Sequence, residues 1–256
     1  MAKDKTVYVC SNCGQESAKW IGKCPSCGQW NTFKELRVSA DTGSLAARNA
    51  AVDMHRAMAH SGAKPMFLKD ISSQDEPRID MHDNELNRVL GGGLVRGSIV
   101  LLGGEPGIGK STLTLQTVLN MPDRRILYVS GEESAHQLKM RAMRINPDAA
   151  DNVMILCETS LEDIFKHIAE VKPEFVVIDS IQTISTADVD SSPGSVTQVR
   201  ECASALLRFA KTSGVPVLLI GHINKEGTIA GPKILEHIVD TVIQFEGDNH
   251  YMYRIL

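Results

Sequence analysis

Long apolar runs and an excess of positive charge are both missing from this 256-residue sequence. A helix that crosses a bilayer needs about 18 consecutive apolar residues, and no run here reaches that length. The opening residues, MAKDKTVYVC, also lack the apolar stretch of a secretory signal. A net charge of -4 argues against a general polycation for nucleic acid, although a local basic face is compatible with that total. We therefore expect a cytoplasmic protein with no membrane partner.

Cysteine is scarce, and most of it lies in one short segment. Four of the six cysteines form two closely spaced pairs, Cys10-x2-Cys13 and Cys24-x2-Cys27, whereas Cys157 and Cys202 stand alone. In a reducing compartment such pairs indicate a metal site more often than a disulfide. Each pair is followed by a glycine, as CSNCG and CPSCG, and such a tight turn lets backbone N–H groups face the thiolates.

Four thiolates favour a closed tetrahedral zinc site with a structural role. An iron centre of the rubredoxin kind uses the same ligands and is the main alternative, and disulfides are the less favoured one. A segment of about 36 residues buries too little surface to fold alone, so metal binding would supply its folding energy. We therefore predict that residues 1–36 are a zinc-binding module.

The sequence has only two tryptophans, and both belong to this module. Trp20 and Trp30 flank the second cysteine pair. They could stack on exposed nucleic-acid bases or form the small core of a zinc domain, and we favour the core.

The rest of the chain divides into a linker and one α/β domain. Residues 37–64 are small and polar without sustained apolar periodicity, which indicates a linker. From residue 65 to 256, short apolar runs alternate with amphipathic stretches, which predicts a mostly parallel sheet with helices on both faces. The predicted core strands are 98–104, 125–131, 152–158, 175–181 and 215–223, with a closing strand pair at 241–247 and 251–256.

A phosphate-binding loop follows the first of these strands. The P-loop pattern is matched by Gly104, Glu105, Pro106, Gly107, Ile108, Gly109, Lys110 and Ser111, with Thr112 next. Its glycines let backbone N–H groups turn toward phosphate oxygens, at the positive end of the helix that follows. Lys110 would reach the β- and γ-phosphates of ATP, and Ser111 would ligate Mg²⁺. We expect the Lys110 side chain to face solvent when no nucleotide is bound.

Acidic residues follow two other strands. Asp179 ends the apolar run 175–179, so it is predicted to hold Mg²⁺ through water, with Ser180 helping to orient it. An Asp at that point can also simply cap a turn. The strand 125–131 runs into Glu132 and Glu133, and we expect it to lie beside the P-loop strand. Glu132 is our first choice to align the attacking water and Glu133 the second; acids that merely begin a helix are the alternative.

These motifs together resemble a known family. The segments CSNCG…KWIGKCPSCGQWNTF, NELNRVLGGGLVRGSIVLLGGEPGIGKSTL, LYVSGEES, VVIDSIQT and GHINKEGTIAGPKILEHIVDTVIQFEGD are similar to those of the bacterial RadA (Sms) family of DNA-repair proteins. That family belongs to the RecA-like ATPases. The resemblance covers nearly the whole chain apart from the linker and implies a RecA-like P-loop core behind the zinc module.

The resemblance implies a DNA-stimulated ATPase that acts on branched recombination intermediates. It implies a homo-hexameric ring that moves along single-stranded DNA, with a RecA-type recombinase as a further partner. Lys110, Ser111, Asp179 and Glu132 would serve the roles given above, and His222 would be a γ-phosphate sensor. The segments 185–198 and 224–233 would line the channel. Lys225, Lys233 and Arg200 are then the expected DNA contacts.

The sequence departs from the family in two respects. The family carries a Lys-Asn-Arg-Phe-Gly motif beyond the last strand and then a Lon-protease-like domain, so we expect this chain to be truncated relative to it. The family also has a glycine near the position of His82.

Two alternatives to a DNA motor come from other functional classes. One is an ATP-gated DNA-binding switch in which turnover only resets the state. The other is a zinc-bearing adaptor that recruits a recombinase, with a mainly structural ATPase part. DNA-dependent turnover separates the adaptor from the other two, and unwinding of a forked duplex separates the motor from the switch.

The zinc prediction can be tested by elemental analysis. Freshly purified, reduced protein should contain one zinc ion per chain, and Cys24→Ser should release it because the site loses one of four thiolates. Cys157→Ser is the matched control and should retain the metal. Reduced protein with neither zinc nor iron would contradict the site.

Overall fold

The computed structural model describes residues 5–10, 16–17, 19–25, 30, 33–38, 67–70, 78–147, 152–222, 235–247 and 253–256. The chain forms two compact units, residues 1–60 and 61–256. In the part described, no helix is long and apolar enough to cross a membrane.

The first unit contains a small antiparallel sheet. Its strands are β1 (Lys5–Cys10), β2 (Glu16–Ser17) and β3 (Phe33–Val38), in the order β2-β1-β3. Cys24 and Phe33 are buried together, and Tyr8 packs against them. Of the predicted metal ligands, Cys24 is thus in this core, and Cys10 ends β1, where only the backbone is described. Cys13 and Cys27 lie outside the described residues.

The expectation that the tryptophans form the core of this unit is wrong. Trp20 is 54% exposed and Trp30 is 68% exposed. The Lys23 ammonium lies 5.6 Å from the centre of the Trp30 ring, and both indole rings approach Gly22. The smaller cysteine, phenylalanine and tyrosine side chains occupy the interior instead, so the indole faces stay in contact with solvent.

The second unit is built on a seven-stranded sheet. Its strands are β4 (Ile99–Gly104), β5 (Ile126–Ser130), β6 (Val153–Cys157), β7 (Phe175–Asp179), β8 (Val217–His222), β9 (Thr241–Gly247) and β10 (Arg254–Ile255). The order across the sheet is β10-β9-β4-β8-β7-β5-β6, and every pairing is parallel except β9 with β10. The predicted mostly parallel sheet with a closing strand pair is confirmed.

Five α-helices accompany the sheet within the described residues. They are α1 (Asn84–Val89), α2 (Lys110–Leu119), α3 (Ala135–Ile145), α4 (Leu161–Val171) and α5 (Val196–Ser213). Short 3-10 helices cover Leu68–Asp70 and Ile181–Thr183. Serine hydroxyls cap the N-termini of α3, α4 and α5, as expected where the first N–H groups of a helix lack partners.

One expectation about strand neighbours is wrong. The strand β5, which leads to Glu132, does not lie beside the P-loop strand β4, because β8 and β7 are inserted between them. Strands β4, β5 and β7 are buried along their whole length. Their apolar sequences predict a buried strand equally well at any interior position, so the order across the sheet was not encoded in them.

His82 adopts a backbone conformation that suits glycine. Its φ of 51° is in the left-handed region, and its N–H donates to the Asp80 carboxylate at 2.8 Å. A glycine, which the family resemblance leads one to expect near this position, would adopt this conformation with less strain than histidine does.

The C-terminal end of α2 is held by a buried amide. The Asn152 Nδ2 atom donates to the carbonyl oxygens of Val118, at 3.1 Å, and Met121, at 2.8 Å. These carbonyls lie at and just beyond the end of the helix, where the regular helical hydrogen bonds stop. Each also accepts a backbone hydrogen bond, from the Met121 N–H at 3.3 Å and the Arg124 N–H at 3.1 Å respectively. Since α2 begins at Lys110, this contact also positions the helix that follows the P-loop.

Asn152→Ala should lower the free energy of unfolding by about 1 to 2 kcal/mol, because it removes two buried hydrogen bonds and leaves each carbonyl with only one longer backbone bond. Urea denaturation measures this directly. Gln116→Ala, at an exposed position of the same helix, is the control and should change stability by less than about 0.5 kcal/mol. Equal effects of the two substitutions would show that the buried amide does not hold the helix end.

Candidate nucleotide site

The loop between β4 and α2 has the backbone of an anion-binding site. Gly107 and Gly109 have φ angles of 77° and 113°, which non-glycine residues rarely adopt. Gly109 is the N-cap of α2, and no side chain caps the helix there. The first N–H groups of the helix are therefore free of a side-chain acceptor and point toward the loop, where they suit phosphate oxygens.

The Lys110 side chain is buried, so the expectation that it faces solvent is wrong. It is 3% exposed, and its Nζ atom donates to the carbonyl oxygens of Gly104 at 2.8 Å and Glu105 at 3.0 Å. Its third neighbour is His222 Nδ1 at 3.2 Å. The loop carbonyls and the imidazole thus satisfy the three hydrogens of the ammonium group. Burial lowers the pKa of Lys110, and the nearby Asp179 and Glu132 charges partly oppose that shift.

Asp179 is the buried acid of the site. It ends β7 and is 6% exposed, and the Tyr128 hydroxyl donates to its Oδ2 atom at 2.5 Å. Burial raises the pKa of Asp179, although hydrogen bonds from Tyr128 and Ser111 act in the opposite direction. Ser111 and Asp179 therefore lie close to each other. A hydroxyl and a carboxylate next to a phosphate loop are the donor set that Mg²⁺ uses in P-loop proteins, so these residues fit that ion.

Glu132 reaches the same site from a strand that is three positions away from β4 in the sheet. Its Oε1 atom accepts a hydrogen bond from the Ser180 hydroxyl at 2.5 Å and lies 3.2 Å from His222 Nε2. Burial raises the pKa of Glu132, but the hydrogen bonds from Ser180 and His222 and the charge of Lys110 outweigh it, so the pKa is below its ordinary value. The carboxylate is thus held ionised close to the P-loop lysine.

His222 joins the two charged groups. It ends β8 and stands opposite Gly104 in the parallel pairing of β4 with β8. Its Nδ1 atom faces the Lys110 ammonium, which can only donate, so Nδ1 is the acceptor and Nε2 carries the hydrogen that faces Glu132. The hydrogen bonds therefore assign the neutral Nε2–H tautomer and make a continuous chain from Lys110 through His222 to Glu132.

Glu133 is directed away from this chain of contacts. Its carboxylate forms an ion pair with Arg141 of α3 at 2.7 Å, and its backbone N–H donates to the Ser130 hydroxyl. Of the two predicted acids, only Glu132 contacts His222.

Of the three predicted DNA-contacting residues, the structure describes only Arg200. Lys225 and Lys233 lie outside the described residues. Arg200 is exposed on α5 and forms an ion pair with its neighbour Glu201 at 3.2 Å.

Three side chains with clear roles in the site's structure were missed from the sequence. Tyr128 supports Asp179, and the Gln182 amide donates to the His222 carbonyl at 3.4 Å. The buried Gln198 organises the loop before α5 by donating to the carbonyls of Thr186, Val189 and Ser191 and accepting from the Thr186 N–H. A polar residue within an apolar strand, as in ILYVS, was the one available signal for Tyr128.

Asp179→Asn should preserve the stability of the unliganded protein but abolish the stabilisation by Mg²⁺ with ATP. Because the pKa of Asp179 is raised, the folded state loses stability as pH rises through that pKa. Above that pKa, the folded state bears the full free-energy cost of the buried charge. An amide can still accept from Tyr128, so the unliganded variant should melt at the same temperature or a few degrees higher near pH 7. The rise in melting temperature caused by Mg²⁺ with ATP should be lost. An unliganded variant that melts well below the parent would contradict this assignment, as would an undiminished nucleotide effect.

Comparison with known proteins agrees with this geometry. The AAA domain family matches residues 65–228, and the rubredoxin metal binding domain family matches residues 8–35. The DNA repair protein RadA of Bacillus subtilis is 48% identical over 264 residues, and that of Listeria monocytogenes is 49% identical over 259 residues. Each alignment covers 100% of this chain but 55% and 54% of the relative, so the chain spans about half the length of the curated relatives it matches.

A solved structure supports the fold. The KaiC-like protein of Pyrococcus horikoshii superimposes with a TM-score of 0.55 at 21% identity, covering 69% of this chain and 85% of that one. The expected RecA-like core and N-terminal zinc ribbon are confirmed. The chain belongs to the AAA domain family of P-loop ATPases, and its similarity to the bacterial RadA DNA repair proteins extends over its whole length.

Proposed function

We propose that this chain is the ATP-hydrolysing part of a DNA-stimulated motor that acts on recombination intermediates. In this proposal it works as a homo-hexamer on single-stranded DNA, and a RecA-type recombinase is a partner. The observation that carries the proposal is the hydrogen-bonded chain from Lys110 through His222 to Glu132, at the carboxyl ends of the parallel strands. Ligand sites of open parallel sheets form at this edge.

Each group in the chain of contacts has a task in hydrolysis. Lys110 and the first N–H groups of α2 hold the β- and γ-phosphates, and Ser111 with Asp179 holds Mg²⁺. Glu132, whose carboxylate stays ionised, orients the water that attacks the γ-phosphate. An Mg²⁺ ion held there would supply positive charge that neutralises the phosphates. Ser180 keeps the Glu132 carboxylate in place through its hydroxyl.

His222 gives the proposal its link to DNA. The residue that contacts both Lys110 and Glu132 is also the last residue of β8, directly before the segment 223–234 that carries Lys225 and Lys233. A γ-phosphate that draws Lys110 away from His222 would free the imidazole from that contact. His222 would thus couple the state of the bound nucleotide to the proposed DNA contact, because the two are adjacent in the chain.

The metal module has a structural task in this proposal. Cys24 is 1% exposed beside Phe33, which suits a thiolate in a closed site rather than an open catalytic one. Cys10, Cys13 and Cys27 would complete the zinc ligands, in agreement with the matched metal binding domain. A zinc ion held by these residues would supply folding energy to a unit too small to be stable without it.

The test is ATP hydrolysis with and without single-stranded DNA. Lys225→Ala combined with Lys233→Ala should leave basal hydrolysis intact, reduce the stimulation by DNA several-fold and flatten the salt dependence of DNA binding, since two phosphate contacts are lost. Lys139→Ala with Lys166→Ala, on α3 and α4, is the matched control. Parent protein that neither hydrolyses ATP faster with DNA nor unwinds a forked duplex would contradict the motor.

Tryptophan fluorescence distinguishes the two candidate DNA contacts in the same experiment. Both tryptophans of the chain lie in the first unit and are largely exposed. If oligodeoxythymidine quenches their emission and the double lysine variant binds DNA as the parent does, the first unit is the DNA contact and the assignment of Lys225 and Lys233 is wrong.

A further inference from the structure

The strand pair β9–β10 packs unusually closely against the P-loop. A Cβ atom placed on Gly104 would lie 2.6 Å from the Phe245 carbonyl oxygen, and one placed on Gly247 would lie 2.7 Å from Ile108 Cδ1. Both distances are too short for any side chain to be added without a shift. Phe245 and Gly247 belong to β9, so this strand forms a wall of the phosphate loop.

Arg254 extends from this wall across the start of α2. It pairs with Gly247 in the antiparallel register of β10 with β9. A Cβ atom placed on Gly109 would lie 3.2 Å from Arg254 Nη1 and 3.9 Å from Cζ. Leu256, two residues further along the chain and so on the same side of it, packs against the main core. That face therefore looks toward the P-loop, and the guanidinium lies over the N-cap of α2.

This placement brings together positive charges that repel one another. The N-terminal end of a helix carries a partial positive charge, and a cation there is unfavourable unless an anion is present. Lys110 has Asp179 and Glu132 nearby. Among the ion pairs that join residues described in the structure, none includes Arg254. Arg254 is also exposed, so a ligand in the loop can reach it.

We infer that Arg254 contacts the phosphate groups of a nucleoside di- or triphosphate bound to the P-loop of the same chain. The planar guanidinium donates to two oxygens at once, which suits phosphate better than a point charge does. The glycine at position 109 has two uses in this arrangement, because it permits the left-handed turn and leaves space for the guanidinium. The inference rests on the proposed nucleotide binding and adds a residue from β10 to that site.

The experiment is calorimetric titration of the whole chain with Mg²⁺-ADP and a non-hydrolysable ATP analogue. Arg254→Ala should weaken binding of both by about tenfold or more, since a charge-assisted hydrogen bond is lost. Arg254→Lys should recover part of the affinity. Arg208→Ala, on α5, is the control and should bind as the parent does. The affinity of the parent should fall more steeply with salt than that of Arg254→Ala.

The melting temperature of the unliganded protein separates ligand binding from a structural role. Removing a cation from the start of α2 should leave that temperature unchanged or raise it. Nucleotide affinity within about twofold of the parent in Arg254→Ala would overturn the inference, as would a lower unliganded melting temperature in both Arg254 variants. Lys110→Ala distinguishes a failure of the Arg254 contact from a failure of the proposed nucleotide site. If it abolishes binding while Arg254→Ala does not, only the Arg254 contact is wrong; if it too binds as the parent does, the nucleotide site itself is wrong.

Discussion

The burial of one ammonium group is the constraint on which the rest of the site depends. Lys110 is almost fully removed from solvent, so its three hydrogens need acceptors inside the protein. Two come from the P-loop carbonyls, and the third is the His222 ring. Because His222 must accept at Nδ1, it donates at Nε2, and Glu132 is drawn to it. Burial of this one charge therefore determines the tautomer of the histidine and the position of the acid.

The same constraint makes the site responsive to nucleotide. A phosphate group is a stronger partner for an ammonium than an imidazole nitrogen is, because the acceptor is charged. Nucleotide binding would therefore release His222 from Lys110. The backbone around the site is held by the close approach of β9 to Gly104. The side chains of Lys110, His222 and Glu132 are thus the parts that can respond, while the phosphate loop keeps its shape.

Much of this could be predicted from the sequence, and the reasons for the remainder are physical. The P-loop and Asp179 were predicted because glycines at that spacing, followed later by an acid after an apolar run, are typical of phosphate and Mg²⁺ sites. The sequence placed Glu132 near the P-loop on the premise that β5 lies beside β4. That premise is wrong, since β8 and β7 separate the two strands. Apolar strands do not encode their neighbours. The position of a lysine side chain depends on acceptors distant in sequence, so the burial of Lys110 on His222 could not be foreseen. Arg254 likewise depends on the pairing of β10 with β9.

The tautomer and contacts of His222 offer the most direct test of this account. The chain has eight histidines, and ¹⁵N-detected spectra of labelled protein, with His222→Gln for assignment, isolate the signals of this ring. We predict the neutral Nε2–H form in unliganded protein and a marked change in both ring nitrogens when a non-hydrolysable ATP analogue binds with Mg²⁺, but not in Lys110→Ala. Ring signals that are the same with and without bound nucleotide would contradict the link between Lys110, His222 and Glu132.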